Sequence, residues 1–472
     1  MKRTREREKN MENFWDFSVW GSFNLVGVLL ISMLLANSLK RLIKPLRESL
    51  IPTSVMGGLL LLIIAAIYNA ITDKLLFNLP IFGGNGMANL EIITYHALAI
   101  GFIATALKSG SGKLTRKRQR EIFDTGVTTV STYLLQGSLG LAITIVAALV
   151  VTDFFPASGL LLPFGYGQGT GQALNYGSIY ESQFGFDGGK SFGLTIAALG
   201  FLSASIGGVV HLNILKHKKK VAPHSEKTEV FTSEEIQTAD EIPMNGSMDK
   251  TTVQVALIAL AYIMALAVMY GLGLLLPGMK SVIYGFNFLL GVLCATLIKV
   301  IMNGLRKKNI MTRQQTNNFI LTRISNCFFD VMVTAGIAAI RLDVLKNYWG
   351  IILFLGIVGL FITYFYNRMV ARVLFPEYEE AQFLAMYGML TGTVSTGVIL
   401  LREVDHEFKT PASDNLVYQN FPAIVFGFPL MLLATLAPVK PKTTLLILFL
   451  FFLAMNILLF RSRIFRRKNK KK

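Results

Sequence analysis

The sequence predicts an all-α polytopic membrane protein of about 11 transmembrane helices, and three observations carry this prediction. Of the 472 residues, 53% are hydrophobic and only 16% are charged, whereas soluble domains are about a quarter charged. The mean hydropathy is +0.52. The apolar residues also fall into many runs close to the roughly 20 residues that cross a bilayer. Together these features exclude a soluble enzyme and a disordered chain.

Hydropathy windows predict two sets of five spans, followed by one extra span. The first set covers 17–37, 51–70, 91–109, 124–152 and 191–215. The second set covers 251–275, 282–303, 319–340, 347–374 and 413–437, and the extra span covers 442–460.

These spans define the domain organisation. Its parts are an N-terminal basic arm (1–16), a first five-helix repeat (17–215) with a hairpin near 156–180, a flexible polar linker (216–250), a second five-helix repeat (251–437) with a hairpin near 379–403, and an extra helix with a basic tail (438–472).

The two sets match in order, and each has a Gly-rich interruption between its fourth and fifth spans. A shift of 223 residues superposes Gly165 on Gly388, Gly169 on Gly392 and Thr170 on Thr393. A repeat with an odd number of spans must cross the membrane in the opposite sense in its second copy. The sequence therefore predicts two inverted-topology repeats, each with a broken-helix re-entrant hairpin, as in secondary transporters.

The basic residues predict an orientation. The net charge is +18, but Lys and Arg cluster in short loops, which indicates topology signals and not a nucleic-acid partner. One set of loops and the C-terminal tail hold 28 of them, and the opposite loops hold 7. We therefore expect the linker and the C-terminus in the cytoplasm. The basic arm then lies outside, so we hypothesise that translation starts at Met11, which intact-mass measurement of the native protein tests.

The first interruption, Pro163 to Asn175, has four glycines in seven residues and cannot form a stable continuous helix. Non-helical backbone at membrane depth lines a cavity or is buried in protein. The start of the following half-helix favours an anion such as a carboxylate. We expect substrate ligands at Gly169, Thr170, Gly171, Gln172 and Asn175. The alternative is an ordinary extracellular loop with glycine turns.

The second interruption runs from Tyr387 to Gly397 and has four hydroxyl side chains within six residues. Such oxygens suit a partly dehydrated Na⁺ or a polar substrate, although hydroxyls also bond to helical carbonyls or assist helix packing. The candidate ion ligands are Thr391, Gly392, Thr393, Ser395 and Asp330, and the candidate substrate ligands are Thr393, Ser395 and Thr396.

The eighth span contains two charged side chains, Arg323 and Asp330, about two helical turns apart. A charge within a span is a functional hypothesis by default. Arg323 is a candidate carboxylate ligand, or it extends to the nearby membrane surface. Asp330 is a candidate cation or proton site. His96, in the third span, is interpreted as a packed or interfacial histidine, and Cys294 and Cys327 lie in apolar spans and indicate no disulfide or metal site.

Two segments carry a family resemblance. The run GYGQGTGQA (165–173) resembles the Gly-His-Gly-Thr-Gly hairpin of the bacterial sodium/glutamate symporters, with Gln168 in place of His. The run IPTSVMGGL (51–59) is similar to the start of their second span. The resemblance implies a homodimeric bacterial inner-membrane symporter that moves glutamate by an elevator-like motion. It implies Na⁺ as the coupling ion and no other cofactor.

We therefore expect a secondary active transporter that couples Na⁺ to uptake of glutamate or a related small carboxylate. The alternatives are a proton- or sodium-coupled carrier of another organic anion, such as citrate or a dicarboxylate, and a channel. An enzyme would need a nucleophile with a base, or a metal cluster, and the sequence has neither pattern. The expected partners are the lipid bilayer and a small anionic substrate. Valine at Thr170 or Thr393 is expected to abolish uptake.

Overall fold

A computed structural model describes residues 14–109, 115–217, 236–238, 240–244, 247–405, 409–461 and 463. The predicted basic arm and tail, and most of the predicted linker, lie largely outside these ranges. The structure is 82% helical, and no strand forms among the described residues. The predicted all-α class is therefore confirmed.

The helices follow the predicted order of spans. The first six are α1 (Phe17–Leu42), α2 (Thr53–Thr72), α3 (Gly86–Leu107), α4 (Arg116–Val150), α5 (Thr170–Phe184) and α6 (Gly189–His217). The next nine are α7 (Lys250–Leu275), α8 (Asn287–Lys307), α9 (Asn318–Ala338), α10 (Trp349–Leu374), α11 (Glu379–Thr391), α12 (Val394–Arg402), α13 (Ala412–Tyr418), α14 (Asn420–Leu436) and α15 (Pro441–Leu459). Short helical segments lie at Lys44–Glu48, Leu76–Asn78, Pro80–Phe82, Pro156–Leu160, Pro163–Gly167, Pro277–Met279, Lys280–Gly285 and Asp343–Leu345.

Ten helices in the described ranges are long and apolar enough to cross a membrane, or 11 if one bent pair counts as a single span. That pair, Ala412–Tyr418 and Pro422–Leu436, corresponds to the predicted span 413–437 and is bent by 50°. Pro422 lacks the backbone N–H that would continue the helix from α13. Large apolar side chains such as Phe23 and Leu149 are exposed on the outside, as lipid-facing residues are. The protein is a multi-pass membrane protein.

Polar caps fix the start of three helices that follow polar loops. The side chain of Thr115 accepts a hydrogen bond from the backbone N–H of Arg118 at the start of α4. Asp249 caps α7 and Asn317 caps α9 in the same way. Each cap satisfies backbone donors that the first helical turn leaves free, which is worth about 1 kcal/mol.

Six helices form a first assembly, the frame group: α1, α2, α3, α7, α8 and α9. Within it α1 packs on α2, α7 on α8, α2 on α9 and α8 on α3. At its centre α3 and α9 run antiparallel in close contact. The hydroxyl of Thr105 lies 2.9 Å from that of Ser325, and Ser325 donates a hydrogen bond to the carbonyl of Gly101.

The remaining helices form the hairpin group: α4 to α6 and α10 to α15. Here α4 packs against α10, α14 and α15, and α6 packs against α5, α10 and α11. The hydroxyl of Tyr366 on α10 bonds Asn456 on α15 at 2.8 Å, and Arg461 pairs with the buried Asp124 of α4 at 2.8 Å. The extra helix α15 is thus part of the hairpin group. The two groups meet mainly where α3 and α9 pack against α5.

Part of the predicted linker is anchored to the frame group. The buried ammonium of Lys250 lies 2.7 Å from the buried carboxylate of Glu241, which also accepts a hydrogen bond from Asn317 at 2.6 Å. The backbone of Asp240 and Ile242 bonds that of Gln314. Residues near 240–242 are therefore held against the loop before α9.

Replacing Lys250 with Ala is expected to lower the free energy of unfolding by about 3–5 kcal/mol, because it leaves the Glu241 carboxylate buried without its cation. Lys280→Ala, at an exposed position, is the matched control and should change stability little. Thermal unfolding of the purified variants measures both. Equal melting temperatures for the two variants would contradict the prediction.

Candidate functional site

The first hairpin turns at a residue that must be glycine. After the segment Pro163–Gly167, Gly169 has φ +82° and ψ −173°, a conformation open essentially to glycine alone. Helix α5 begins at the next residue, Thr170. The hydroxyl of Tyr133 on α4 donates to the carbonyl of Gly167 at 3.0 Å and fixes the turn.

The second hairpin turns between α11 and α12, at Gly392 and Thr393. The side-chain amide of Gln136 donates to the carbonyl of Leu390 at 3.0 Å and to the hydroxyl of Thr363 at 2.8 Å. This residue of α4 therefore satisfies a carbonyl that the end of α11 leaves free. Thr393 is extended and precedes the first residue of α12.

The two hairpin tips are in contact with each other. A methyl group on Gly169 would lie 3.5 Å from Cγ2 of Thr393 and 3.6 Å from the carbonyl oxygen of Gly392. The two broken segments that the sequence aligned by a fixed shift therefore meet at one point. Helices α5 and α12 both start there.

A cavity of about 450 Å³ lies beside this point, between the hairpin tips, α3, α9 and α14. Much of its wall is apolar, including Leu98, Phe102, Phe329 and Met389. The polar lining residues are Thr53, Thr105, Lys108, Tyr133, Gln168, Gln172, Ser325, Asn326, Asp330, Thr393, Ser395, Gln419 and Asn420. A mostly apolar pocket of this size with a few polar groups is typical of a small-molecule site.

The cavity reaches one end of the helices. Among its lining residues, Thr53 begins α2, Lys108 directly follows α3, and Asn420 begins α14. Arg118, at the start of α4, donates to the carbonyl of Pro411 at 3.4 Å, so the loop before α13 lies at this same end. We call this end the basic side, because the predicted basic loops adjoin it.

The opposite side is closed by contacts between α5 and the frame group. Asn175 donates to the carbonyl of Gly285 at 2.7 Å, and Thr170 donates to the carbonyl of Met332 at 3.3 Å. A methyl group on Gly171 would lie 2.7 Å from Leu98 of α3. Helix α5 is thus packed tightly against α3 and α9, whereas the cavity separates α12 from them.

Gln172 has an unusual environment in the cavity wall. It is 1% exposed, and neither the nitrogen nor the oxygen of its amide has a hydrogen-bond partner in the structure. Among the described residues, no other side chain is left with two such atoms. Each unpaired buried group costs about 1–3 kcal/mol, and such a cost in a folded protein calls for a functional explanation. A bound solute would supply the missing partners.

Asp330 is the only acidic residue among the described lining residues. Its carboxyl bonds the Ser54 side chain at the start of α2. The hydroxyl of Thr334 bonds both the Ser54 carbonyl, at 3.0 Å, and the Asp330 carbonyl, at 2.9 Å. No described Lys, Arg or His lies within ion-pair distance of Asp330. An acidic group without a cationic partner, facing a cavity at membrane depth, suits a cation or a proton.

The structure brings five of the sequence-predicted site residues together in the cavity wall: Gln172, Asp330, Gly392, Thr393 and Ser395. Others lie just behind it. Gly169 forms the contact between the tips, Thr170 and Gly171 pack on the frame group, and the Thr396 hydroxyl lies 3.4 Å from that of Thr393.

Three predicted residues lie away from the wall. The Asn175 amide bonds the carbonyl of Gly285, and the Thr391 hydroxyl bonds the carbonyl of Tyr387 at 2.6 Å. Arg323 is exposed, and its guanidinium lies 5.1 Å from the ring centre of Phe319. Its position on α9 fits the alternative of a side chain near the membrane surface better than that of a cavity ligand.

Several lining residues were not singled out from the sequence. They are Thr105, Lys108, Tyr133, Ser325, Gln419 and Asn420. Asn326 and Asp330 are spaced four residues apart, which places them on one helix face, and the adjacent pair Gln419 and Asn420 stands out in an apolar span. No feature of the sequence distinguished Lys108 from the other basic residues of the loops.

The starts of α5 and α12 give the cavity its electrostatic character. Gln172 is the third residue of α5, and Ser395 is the second residue of α12. Helix N-termini carry a partial positive charge of about half an elementary charge. Two such termini and the ammonium of Lys108 favour an anionic solute.

Comparisons with protein families, curated proteins and solved structures find no match for this chain. The described residues contain no group of three or more His, Cys, Asp and Glu that would hold a metal ion. The fold and the cavity define its class: a multi-pass α-helical membrane protein with a solute-sized cavity at its centre.

Proposed function

We propose that this protein is a secondary active transporter of a small anionic solute, namely glutamate or a related carboxylate. The observation that carries the proposal is the unpartnered Gln172 amide in the wall of a cavity where two helix N-termini meet. A carboxylate would accept hydrogen bonds from this amide and interact favourably with both helix ends.

The packing of the helices supports two inverted repeats. The contact of α1 with α2 has its counterpart in that of α7 with α8. Likewise α2 packs on α9 as α8 packs on α3, and α4 packs on α14 as α10 packs on α6. Each contact maps onto its counterpart when the five spans of the first repeat are matched in order to the five spans of the second. A pseudo-twofold axis between α3 and α9 accounts for this pattern.

The asymmetry between the hairpins supports alternating access. In the structure α5 packs against α3 and α9, and the cavity occupies the equivalent place beside α12. In the second state, α12 packs against these helices and α5 separates from them. The hairpin group would shift against the frame group, as in an elevator, and carry the solute past α3 and α9.

The coupling ion is proposed to be Na⁺, bound by oxygen ligands near Asp330 or at Thr393 and Ser395. Asp330 serves equally as a proton carrier, so proton coupling is the alternative within the same mechanism. Citrate and dicarboxylates are the alternative solutes, because the same helix ends bind any carboxylate.

The basic loops and the resemblance to sodium/glutamate symporters support the remaining assignments. The basic side would face the cytoplasm, since loops rich in Lys and Arg stay on that side. The structure would then represent an inward-open state. A homodimer in a bacterial inner membrane is proposed from the resemblance alone.

Thermal-shift binding to the purified protein tests the proposal, with glutamate, aspartate, citrate and malate, each in Na⁺ and in choline. Binding to the folded state increases the free energy of unfolding by mass action, by about 2.7 kcal/mol at a concentration 100 times Kd, and so raises the melting temperature. We expect a shift with one or more of the four, and a Na⁺-dependent shift for the sodium-coupled form. A folded protein that shows no shift with any of them would contradict carboxylate transport.

A further inference from the structure

Lys108 has an unusual position at the mouth of the cavity. It is the only Lys, Arg or His among the described lining residues. It directly follows the last residue of α3 on the basic side. No described acidic side chain lies within ion-pair distance of its ammonium, so no acid in the described part of the chain compensates this positive charge at the mouth.

The backbone around Lys108 is held by two anchors. Lys299 of α8 donates to the carbonyls of Ala106 and Lys108, at 2.8 Å and 3.0 Å. The backbone N–H and carbonyl of Ser109 bond the side-chain amide of Asn318 at 2.8 Å and 3.0 Å. The ammonium of Lys299 is thus engaged in capping α3, whereas Lys108 itself lines the cavity from a backbone that these contacts hold in place.

The other charges near the mouth do not neutralise Lys108. Thr105 and Ser325 are level on the antiparallel helices α3 and α9. Lys108 lies three residues beyond Thr105 and Asp330 lies five residues beyond Ser325 in the opposite direction, so the two are about 12 Å apart along the axis. This is about three times the 4 Å limit of an ion pair. Lys299 and Arg323 are both cations, and the described lining residues of α12 to α14 are uncharged.

Burial affects the Lys108 ammonium directly. Its pKa is lowered to about 8, because desolvation disfavours the charged form and no acid offsets this. An anion in the mouth would supply the missing counter-charge. Lys108 therefore gains more from a bound carboxylate than an exposed, fully hydrated lysine would.

We propose that Lys108 is a specificity-determining residue of the transporter, whose ammonium binds the carboxylate of the solute as it enters or leaves the cavity on the basic side. This inference rests on the proposed function and names the residue that makes its cavity select anions. Neutral solutes of the same size gain nothing from Lys108.

The affinity for a carboxylate is expected to depend on pH through Lys108. At pH 7, about one unit below its pKa, the Lys108 ammonium is mostly charged and nearly its full contribution to anion binding is present. As the pH rises from 7 to 9 the ammonium deprotonates, and the affinity for a carboxylate is expected to fall about tenfold. Malate and glutamate keep nearly constant charge over this range, so the change reports on the protein.

The test is titration calorimetry of malate and glutamate at pH 7 and pH 9, with wild type and three variants. Lys108→Gln is expected to weaken binding about tenfold at pH 7 and to abolish the pH dependence. Lys108→Arg keeps its charge at pH 9 and should bind equally well at both values. Lys346→Gln, at an exposed position on the opposite end, should behave as wild type.

The outcomes separate the two proposals. If wild type binds neither solute, the proposed function fails, and this inference fails with it. If wild type binds but Lys108→Gln keeps both its affinity and its pH dependence, the inference alone is overturned. A tenfold loss in Lys108→Gln without recovery at pH 9 in Lys108→Arg would also overturn it, because charge would then not be the cause.

Discussion

Leucine in place of Gln172 is expected to weaken solute binding at least a hundredfold while leaving the protein as stable as wild type or more stable. The two atoms of this amide have no partner in the protein. The amide nitrogen would donate to a solute carboxylate and the amide oxygen would accept from a solute ammonium or hydroxyl, and two such bonds, at about 1.5–3 kcal/mol each, account for the loss of affinity. An apolar side chain of similar size removes two unpaired buried groups at no cost in hydrogen bonds.

Gln136→Leu is the matched control for this substitution. Gln136 is also fully buried and its amide oxygen is unpaired, but its amide nitrogen donates to Thr363 and to the carbonyl of Leu390. Leucine there leaves both acceptors unpaired, so the free energy of unfolding should fall by about 1–3 kcal/mol. Melting temperatures and solute titrations on both variants make the comparison.

The two glutamines are thus expected to respond in opposite ways. A Gln172→Leu protein that melts well below wild type would indicate that the amide has a structural role. Unchanged uptake in the same variant would contradict the cavity as the solute site.

Alanine in place of Gly336 is expected to shift the transporter out of the state seen in the structure. A methyl group at this position of α9 would lie 2.7 Å from Cβ of Thr170. Thr170 is held there by its hydrogen bond to Met332, so α5 cannot stay docked against α9 without strain. Overpacking of this kind costs about 1–3 kcal/mol. In the proposed second state α5 has left α9, and the methyl group costs nothing.

A cysteine at Asn326 measures this shift. Asn326 is exposed in the cavity on the basic side, and its reactivity toward a membrane-impermeant thiol reagent reports the open fraction. In a background without Cys294 and Cys327, Gly336→Ala should lower the ratio of the open to the closed state about 5- to 150-fold, the factor that 1–3 kcal/mol represents, and the labelling rate should fall with the open fraction. Solute uptake should fall with it.

Gly271→Ala serves as the control, because a methyl group on Gly271 meets nothing within 4 Å. It should change neither labelling nor uptake. Unchanged labelling in Gly336→Ala would show that the contact between α5 and α9 is not broken during transport.

The sequence was sufficient to predict the class of fold, for a physical reason. Backbone groups in hydrocarbon must pair within their own segment, so an apolar run of about 20 residues is a helix whatever surrounds it. For the span 413–437, hydropathy predicted the span but not its bend. Its average composition is apolar although Gln419 and Asn420 interrupt it, and the bend follows from Pro422, whose missing N–H an average hydropathy does not register.

The sequence predicted less of the candidate site than of the fold. A constant shift aligned Gly169 with Gly392, and the structure has these two hairpin tips close together, because local chemistry encodes the hairpin turns. Gln172 stands out only because its amide has no hydrogen-bond partner. Whether an amide finds a partner depends on the packing of all neighbouring helices, which the sequence does not show. In the sequence, Arg323 and Asp330 are both charged residues of one span. In the structure they differ in depth and in the face of α9 that they occupy, and both depend on how α9 packs.

The attachment of α15 to α4 and α10 links the proposed cycle to the surface charge of the bilayer. Because α15 belongs to the hairpin group, the proposed mechanism moves α15 together with the solute cavity. Residues 461–472 include eight Lys and Arg, and each one close to an anionic leaflet contributes about 1 kcal/mol of attraction. In the proposed mechanism, a change in the distance between these residues and the leaflet would favour one of the two transport states in the presence of anionic lipid. The turnover rate would then depend on the headgroup composition of the bilayer.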